Sequence, residues 1–112
     1  MSAASKRAAR EDPILIFAAL GDPTRMRLVA RLSKGGPQSI ARLTEDSKVT
    51  RQAITKHLRV LEGAGLLRST RKGRESRWEV EPRRLAVARA FLDKISAQWD
   101  EKLEALRKHV EG

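Results

Sequence analysis

Side chains that donate hydrogen bonds, with no carboxylate among them, are concentrated in residues 49–61. When this stretch is read as a helix with 3.6 residues per turn, one face carries Ala53, Ile54, His57, Leu58 and Leu61. The opposite face carries Arg51, Gln52, Thr55, Lys56 and Arg59. Guanidinium and amide groups can each form two hydrogen bonds with one base edge in the major groove of DNA. The stretch alone predicts either a helix that reads a groove or an ordinary solvated amphipathic helix.

Positive charge is unevenly distributed along the 112 residues, a length that suits one domain. The formal net charge is +10 at pH 7, and residues 48–84 hold eleven basic against four acidic side chains. Residues 85–112 hold five of each. A positive excess confined to the middle of the chain indicates a localised surface for a polyanion.

Composition excludes several other classes of protein. The chain has no cysteine, so it has neither disulfides nor a thiolate metal site. Its longest apolar run, residues 14–20, is too short to span a bilayer. The first ten residues are similar in composition to the start of a transit peptide but lack the apolar core of a secretory signal. We expect residues 1–11 to be a disordered basic arm and the protein to be cytoplasmic.

Two helices are predicted before residue 36, each by an aspartate followed by proline. Asp12 and Asp22 are suited to cap a helix, and the proline after each suits its first position. The first helix is expected to end at Leu20, before a glycine. The second is expected to end at about Ser33, before two further glycines.

A short helix and a tight turn precede the 49–61 stretch. Ser39 can cap the short helix, residues 46–48 form a polar turn, and Thr50 can cap the next helix. Two short helices joined in this way, the second with a polar outer face, form a helix-turn-helix arrangement. The second helix would then be the recognition helix.

A β-hairpin is predicted after the recognition helix. Thr70, Trp78 and Val80 are expected on its packed face, and Gly73 supplies the positive φ that its turn needs. Three cations are concentrated at its tip, Arg71, Lys72 and Arg74. They indicate an anion-binding tip, although hairpin tips are also basic for solubility alone.

The last helix is predicted from about residue 83 to residue 110. Apolar residues recur in it at spacings of three and four, at Leu85, Ala88, Leu92, Ile95, Trp99, Leu103, Leu106 and Val110. Such a stripe is typical of a coiled-coil seam. A helix of this length spans about 42 Å, whereas a domain of this size has a radius of gyration of about 13 Å. We therefore expect the helix to project from its domain and to pack on a second copy of the chain.

Four motifs, in this order, resemble those of the ArsR-type winged helix-turn-helix transcriptional regulators. They are ALGDPTRMR at 19–27, VTRQAITKHL at 49–58, LEGAGLL at 61–67 and RKGRE at 71–75. The resemblance covers residues 12–112, which would form a single domain. It implies a mainly α fold with a β-hairpin wing, in which long N- and C-terminal helices form a dimer interface. It also implies a homodimeric repressor that binds double-stranded DNA.

The resemblance assigns positions to the site. Base contacts are expected at Arg51, Gln52, Thr55 and Lys56. Contacts with the DNA backbone or the minor groove are expected at Thr50, Arg59, Arg71, Lys72, Arg74 and Arg77. The dimer interface is expected at Ile14, Phe17, Leu92, Ile95, Trp99, Leu103, Leu106 and Val110.

Many members of this family sense metals, but this sequence departs from their pattern. The region of the metal-sensing cysteine pair, residues 38–45, contains no cysteine, and His57 and His109 do not have a usable ligand spacing. Residues 98–103 resemble the branch of the family without metal ligands. We expect no metal, no cofactor and no membrane partner, and the resemblance does not identify an inducer.

Two other classes of function fit the sequence less well. A non-sequence-specific architectural or RNA-binding protein would explain the charge but not the acid-free face of the recognition helix. It would also need aromatic platforms for bases, whereas Phe17, Trp78, Phe91 and Trp99 all fit core positions. An enzyme is not expected, because neither histidine has an acid or a nucleophile at motif spacing and no phosphate-binding loop occurs.

Overall fold

The computed structural model describes residues 12–45 and 47–111, and the predicted arm, residues 1–11, lies outside them. Within these ranges the elements follow one another as α1 (Pro13–Leu20), α2 (Pro23–Gly35), β1 (Gln38–Ser39), α3 (Ile40–Thr44), α4 (Arg51–Gly63), β2 (Leu67–Lys72), β3 (Glu75–Val80) and α5 (Pro82–Glu111). The chain is thus mainly helical, with one small sheet. Helix α4 is the predicted recognition helix, and β2 and β3 form the predicted hairpin.

The four predicted N-caps are confirmed. The side-chain oxygens of Asp12, Asp22, Ser39 and Thr50 each accept a hydrogen bond from a backbone N–H in the first turn of the helix that follows. Helix α2 continues two residues beyond the predicted Ser33 and ends at Gly35. The next residue, Gly36, has a φ of 74°, a conformation that glycine adopts without steric cost.

The sheet has the order β1-β3-β2, and both pairings are antiparallel. The predicted packing of Thr70 beside Trp78 is wrong. Residues directly opposite each other in an antiparallel pair share a face, and Trp78 lies opposite Ser69 while Thr70 lies opposite Arg77. Thr70 is therefore exposed, on the face away from Trp78. The predicted positive φ of Gly73 is confirmed at 64°.

A single hydrophobic core joins all the helices to the sheet. Its most completely buried side chains are Ile16, Leu32, Leu43, Ile54, Leu58, Leu61 and Leu66. Helix α5 contributes Ala88 as its one buried residue. From residue 96 to residue 111 every side chain of α5 is exposed. Thirty residues give α5 a length of about 45 Å, so half of it extends beyond the core.

Candidate nucleic-acid interface

Helix α4 is held by one face and presents the other to solvent. Ile54, Leu58 and Leu61 are at most 1% exposed and anchor the helix in the core. The exposed side chains on its outer face are Arg51, Gln52, Lys56 and Arg59. These four predicted contact residues therefore lie together on an accessible face, which carries no carboxylate from Arg51 to Arg59. Glu62, in the last turn of α4, is half-buried and accepts a hydrogen bond from the Ser69 hydroxyl.

Thr55 differs from the other predicted base-contact residues. It is half-buried, and its hydroxyl donates a hydrogen bond of 2.8 Å to the backbone carbonyl of Arg51. The hydroxyl proton is therefore in use, while the oxygen lone pairs and the methyl group remain available. Thr55 can accept a hydrogen bond from a base or contact a thymine methyl group.

The hairpin places positive charge at its tip and compensated charge at its base. Arg71, Lys72 and Arg74 are all exposed. At the base, Arg68 Nε lies 2.7 Å from Glu79 Oε1, and this hydrogen bond raises the pKa of Arg68. Arg77 is half-buried, and its Nε lies 3.5 Å from Glu75 Oε2. The tip therefore carries uncompensated charge, whereas the predicted contact residue Arg77 is partly neutralised.

A polar network that the sequence did not predict joins three helices. Arg25 Nε donates to the carbonyl oxygen of Ala19, near the end of α1. Its Nη1 lies 3.3 Å from His57 Nδ1 on α4, and Asp22 Oδ2 lies 3.9 Å from the same nitrogen. His57 is on the packed face of α4, as predicted, but it is half-buried and meets polar partners rather than the apolar core. The network fixes α4 relative to the end of α1.

Asp22 gives the fold a dependence on pH. The backbone N–H of Arg25 holds the pKa of the Asp22 carboxyl below its usual value of 3.8, and the charges of His57 and Arg25 act in the same direction. A carboxyl whose pKa is lowered in the folded state stabilises the fold fully above its unfolded pKa. This contribution is lost as the pH falls through the folded pKa.

We therefore expect D22A to lower Tm most at neutral pH, and the difference from the wild type to shrink below pH 3.8. Thermal unfolding followed by circular dichroism across this range tests the prediction. D100N, which changes an exposed acid on α5, is the control and should show no such pH-dependent difference. A difference in Tm between D22A and the wild type that stays constant at every pH would contradict the stabilising role assigned to the ionised Asp22 carboxyl.

An apolar face extends along α1 and α5. Ile14, Leu92, Trp99, Leu103, Leu106 and Val110 are each more than half exposed, and Phe17 and Ile95 are half-buried. Between α1, α2 and α5 lies a cleft of about 550 Å³, lined in part by Phe17, Met26 and Leu92. The core position predicted for Trp99 is wrong, because its ring lies on this face and Lys102 Nζ is 5.3 Å from the ring centroid. All eight predicted interface residues thus lie on the same two helices.

No group of three or more His, Cys, Asp or Glu side chains in residues 12–45 and 47–111 could hold a metal ion. The predicted lack of metal sensing remains a prediction. Within the same ranges, no helix is long and apolar enough to cross a membrane.

Comparison with known proteins identifies the family. A family described as "Helix-turn-helix domain" matches residues 20–70. The chain is 48% identical over 65 residues to the uncharacterized HTH-type transcriptional regulator YuzN of Bacillus subtilis, over 53% of this chain and 71% of that protein. It is 28% identical over 98 residues to the arsenical resistance operon repressor of Escherichia coli, over 88% of this chain and 84% of the repressor.

A solved structure agrees with these sequence relatives. The ArsR-like transcriptional regulator from Rhodococcus sp. RHA1 superposes with a TM-score of 0.74 and 36% identity, over 86% of this chain and 90% of that one. The relatives are regulators and not enzymes. Helix α4, the hairpin and the match over residues 20–70 occur together, so the chain belongs to the ArsR-type family of winged helix-turn-helix, DNA-binding transcriptional regulators.

Proposed function

We propose that this protein is a homodimeric repressor that reads a pseudo-palindromic operator with α4. The proposal rests on the outer face of α4, which is polar, exposed and free of acids from Arg51 to Arg59, while the opposite face is fixed in the core. Such a helix can enter a major groove without losing its orientation. Two copies related by two-fold symmetry would contact half-sites one helical turn, about 34–36 Å, apart.

The proposed base contacts follow from the chemistry of each side chain. Arg51 suits the O6 and N7 acceptors of guanine, and Gln52 suits the N6 donor and N7 acceptor of adenine. Lys56 is a third exposed donor. Thr55, with its proton already donated to the carbonyl of Arg51, contributes an acceptor or a methyl contact.

The proposed contacts with the DNA backbone lie on both sides of the outer face of α4. They are Thr50, Arg59, Arg71, Lys72, Arg74 and Arg77. Lys72 and Arg74 are exposed at the wing tip, which suits them to phosphates or the minor groove. Arg77 would first have to leave Glu75, so we expect its contribution to be smaller.

The proposed dimer interface is the apolar face of α1 and α5. Trp99, Leu103 and Leu106 are each 58% exposed, which is a large apolar area for an isolated chain to leave in water. A second copy provides the same stripe and would cover it by two-fold symmetry. Repression fits the name of the Escherichia coli relative, and a dimer that occupies an operator can exclude other proteins from it.

Selection of bound sequences from random double-stranded DNA tests the proposed function. We expect a two-fold symmetric motif with one half-site for each α4. Recovery of no preferred sequence at physiological salt would contradict the proposal and favour a non-specific nucleic-acid-binding protein.

Arg51 and Arg74 are expected to affect DNA binding differently. R51A should cost about 1–3 kcal/mol on the selected site and relax base choice at one position in each half-site. R74A should weaken binding to all duplexes by a similar factor and reduce the dependence of affinity on salt.

Fluorescence anisotropy titrations with selected and scrambled duplexes at several salt concentrations distinguish these effects. K108A removes one exposed cation from the far end of α5. It should leave both the affinity for each duplex and the salt dependence of that affinity unchanged. An R51A variant that loses the same affinity for both duplexes would contradict the role assigned to Arg51.

A further inference from the structure

A second basic surface lies beside the N-terminal end of α4, away from the wing. A cleft of about 290 Å³ opens there between α2 and the turn that precedes α4. Its described polar lining consists of Thr24, Arg27, Arg31, Ser47 and Lys48, and no acidic residue within 12–45 and 47–111 lines it. We propose that this cleft binds a backbone phosphate of the same DNA duplex, with Arg27 and Lys48 as the contact residues.

Arg31 forms the fixed wall of the cleft. Its Nη2 donates a 2.8 Å hydrogen bond to the carbonyl of Arg42, and its Nη1 donates a 3.3 Å bond to the carbonyl of Leu43. These carbonyls belong to the last turn of α3, where helix carbonyls lack partners within the helix. Arg31 therefore holds α3 against α2 and adds positive charge to the cleft, but its donors are largely occupied.

Arg27 and Lys48 are the free cations of the cleft. Both side chains are exposed, and no described carboxylate forms an ion pair with either of them. Arg68 and Arg77 of the wing, by contrast, are paired with Glu75, Glu79 and Glu81. Uncompensated cations around a concave surface repel one another, and an anion bound between them removes that repulsion.

The location of the cleft identifies the anion. Val49, just before α4, and Ile54, in its first turn, line the cleft, so it adjoins the end of α4 that carries Arg51 and Gln52. The wing begins at Leu67, just after the other end of α4. A helix in the major groove lies between two phosphate backbones, and cations are therefore useful on both sides of it. The Ser47 oxygen accepts from the N–H of Val49, which leaves its proton free for a phosphate oxygen.

This inference rests on the proposed function, and salt dependence tests it separately. Each phosphate contact contributes about 0.9 to the slope of log affinity against log salt concentration. The proposed dimer has two such clefts and binds one phosphate in each, so R27Q/K48Q should reduce the slope by about 1.8 for selected and scrambled duplexes alike, with the selected motif unchanged. K94Q/K108Q removes two exposed cations from α5 as the control and should retain the wild-type slope.

A wild-type slope in R27Q/K48Q, or a change in its selected motif, would overturn the inference and leave the proposed function standing. Failure of the wild-type protein to select any motif would instead overturn the proposed function. Ethylation interference on the wild-type complex gives a test that does not depend on the folding of a variant. It should reveal phosphates that flank α4 on the side opposite the wing-contacted backbone, and their absence would also overturn the inference.

Discussion

W99D/L106D is expected to make the protein monomeric and to weaken its binding to a two-half-site operator by at least about 100-fold. Both side chains are 58% exposed in the single chain, so their replacement removes nothing from the core. Aspartate at these positions would place charge in an interface without partners for it. The loss in affinity is large because a dimer binds its second half-site at a high effective concentration, and a monomer does not.

Sedimentation equilibrium and operator titration measure the two parts of this prediction. A90D/A97D is a matched control, because it adds the same two charges to α5 at exposed positions outside the apolar stripe. It should remain dimeric and bind as the wild type does. A W99D/L106D protein that sediments as a dimer would show that this face is not the interface.

L58A is expected to lower the free energy of unfolding by about 2–5 kcal/mol. Leu58 is 0% exposed on the inner face of α4, so its truncation leaves a cavity that the surrounding core can fill only in part. Domains of this kind are stable by about 5–15 kcal/mol, so the loss is a large fraction of the total.

Urea unfolding at one fixed protein concentration measures this loss, because the stability of a dimer depends on concentration. V60A is the matched control on the same helix, where Val60 is 45% exposed. It should change the free energy of unfolding by no more than about 0.5 kcal/mol. Equal losses in L58A and V60A would contradict the orientation of α4.

The sequence was most informative where structure depends on nearby residues. Asp12 and Asp22, each followed by proline, predicted both helix starts, because a cap and the first turn that it serves lie within three residues. The periodicity of residues 49–61 predicted which side chains of α4 point outward. The same periodicity placed Trp99 on an apolar stripe, although it could not show whether a core or a second chain would cover that stripe.

The features that were missed depend on residues far apart in the chain. The contact between Arg25 and His57 joins positions 32 residues apart, and neither residue has a local signal for the other. Strand β1 has only two residues and forms by pairing with β3, so it has no periodicity of its own. Thr70 was assigned to the wrong face because alternation within one strand does not determine which residue of the other strand lies opposite.

The cleft between α2 and the turn before α4 was missed for a similar reason. Arg27 and Lys48 were visible only as two charges in a basic sequence. Their significance depends on the packing of α2 against α3, which Arg31 maintains through the carbonyls of Arg42 and Leu43.

Sequence-specific binding by α4 can be tested with one ratio of dissociation constants. The ratio compares the Kd of the wild-type dimer for a scrambled duplex with its Kd for the selected duplex, at physiological salt and equal length and composition. We predict a ratio of at least about 10³, within the range of specific DNA-binding regulators. A ratio near one would show that the protein binds DNA through charge alone and would contradict the role assigned to Arg51, Gln52, Thr55 and Lys56.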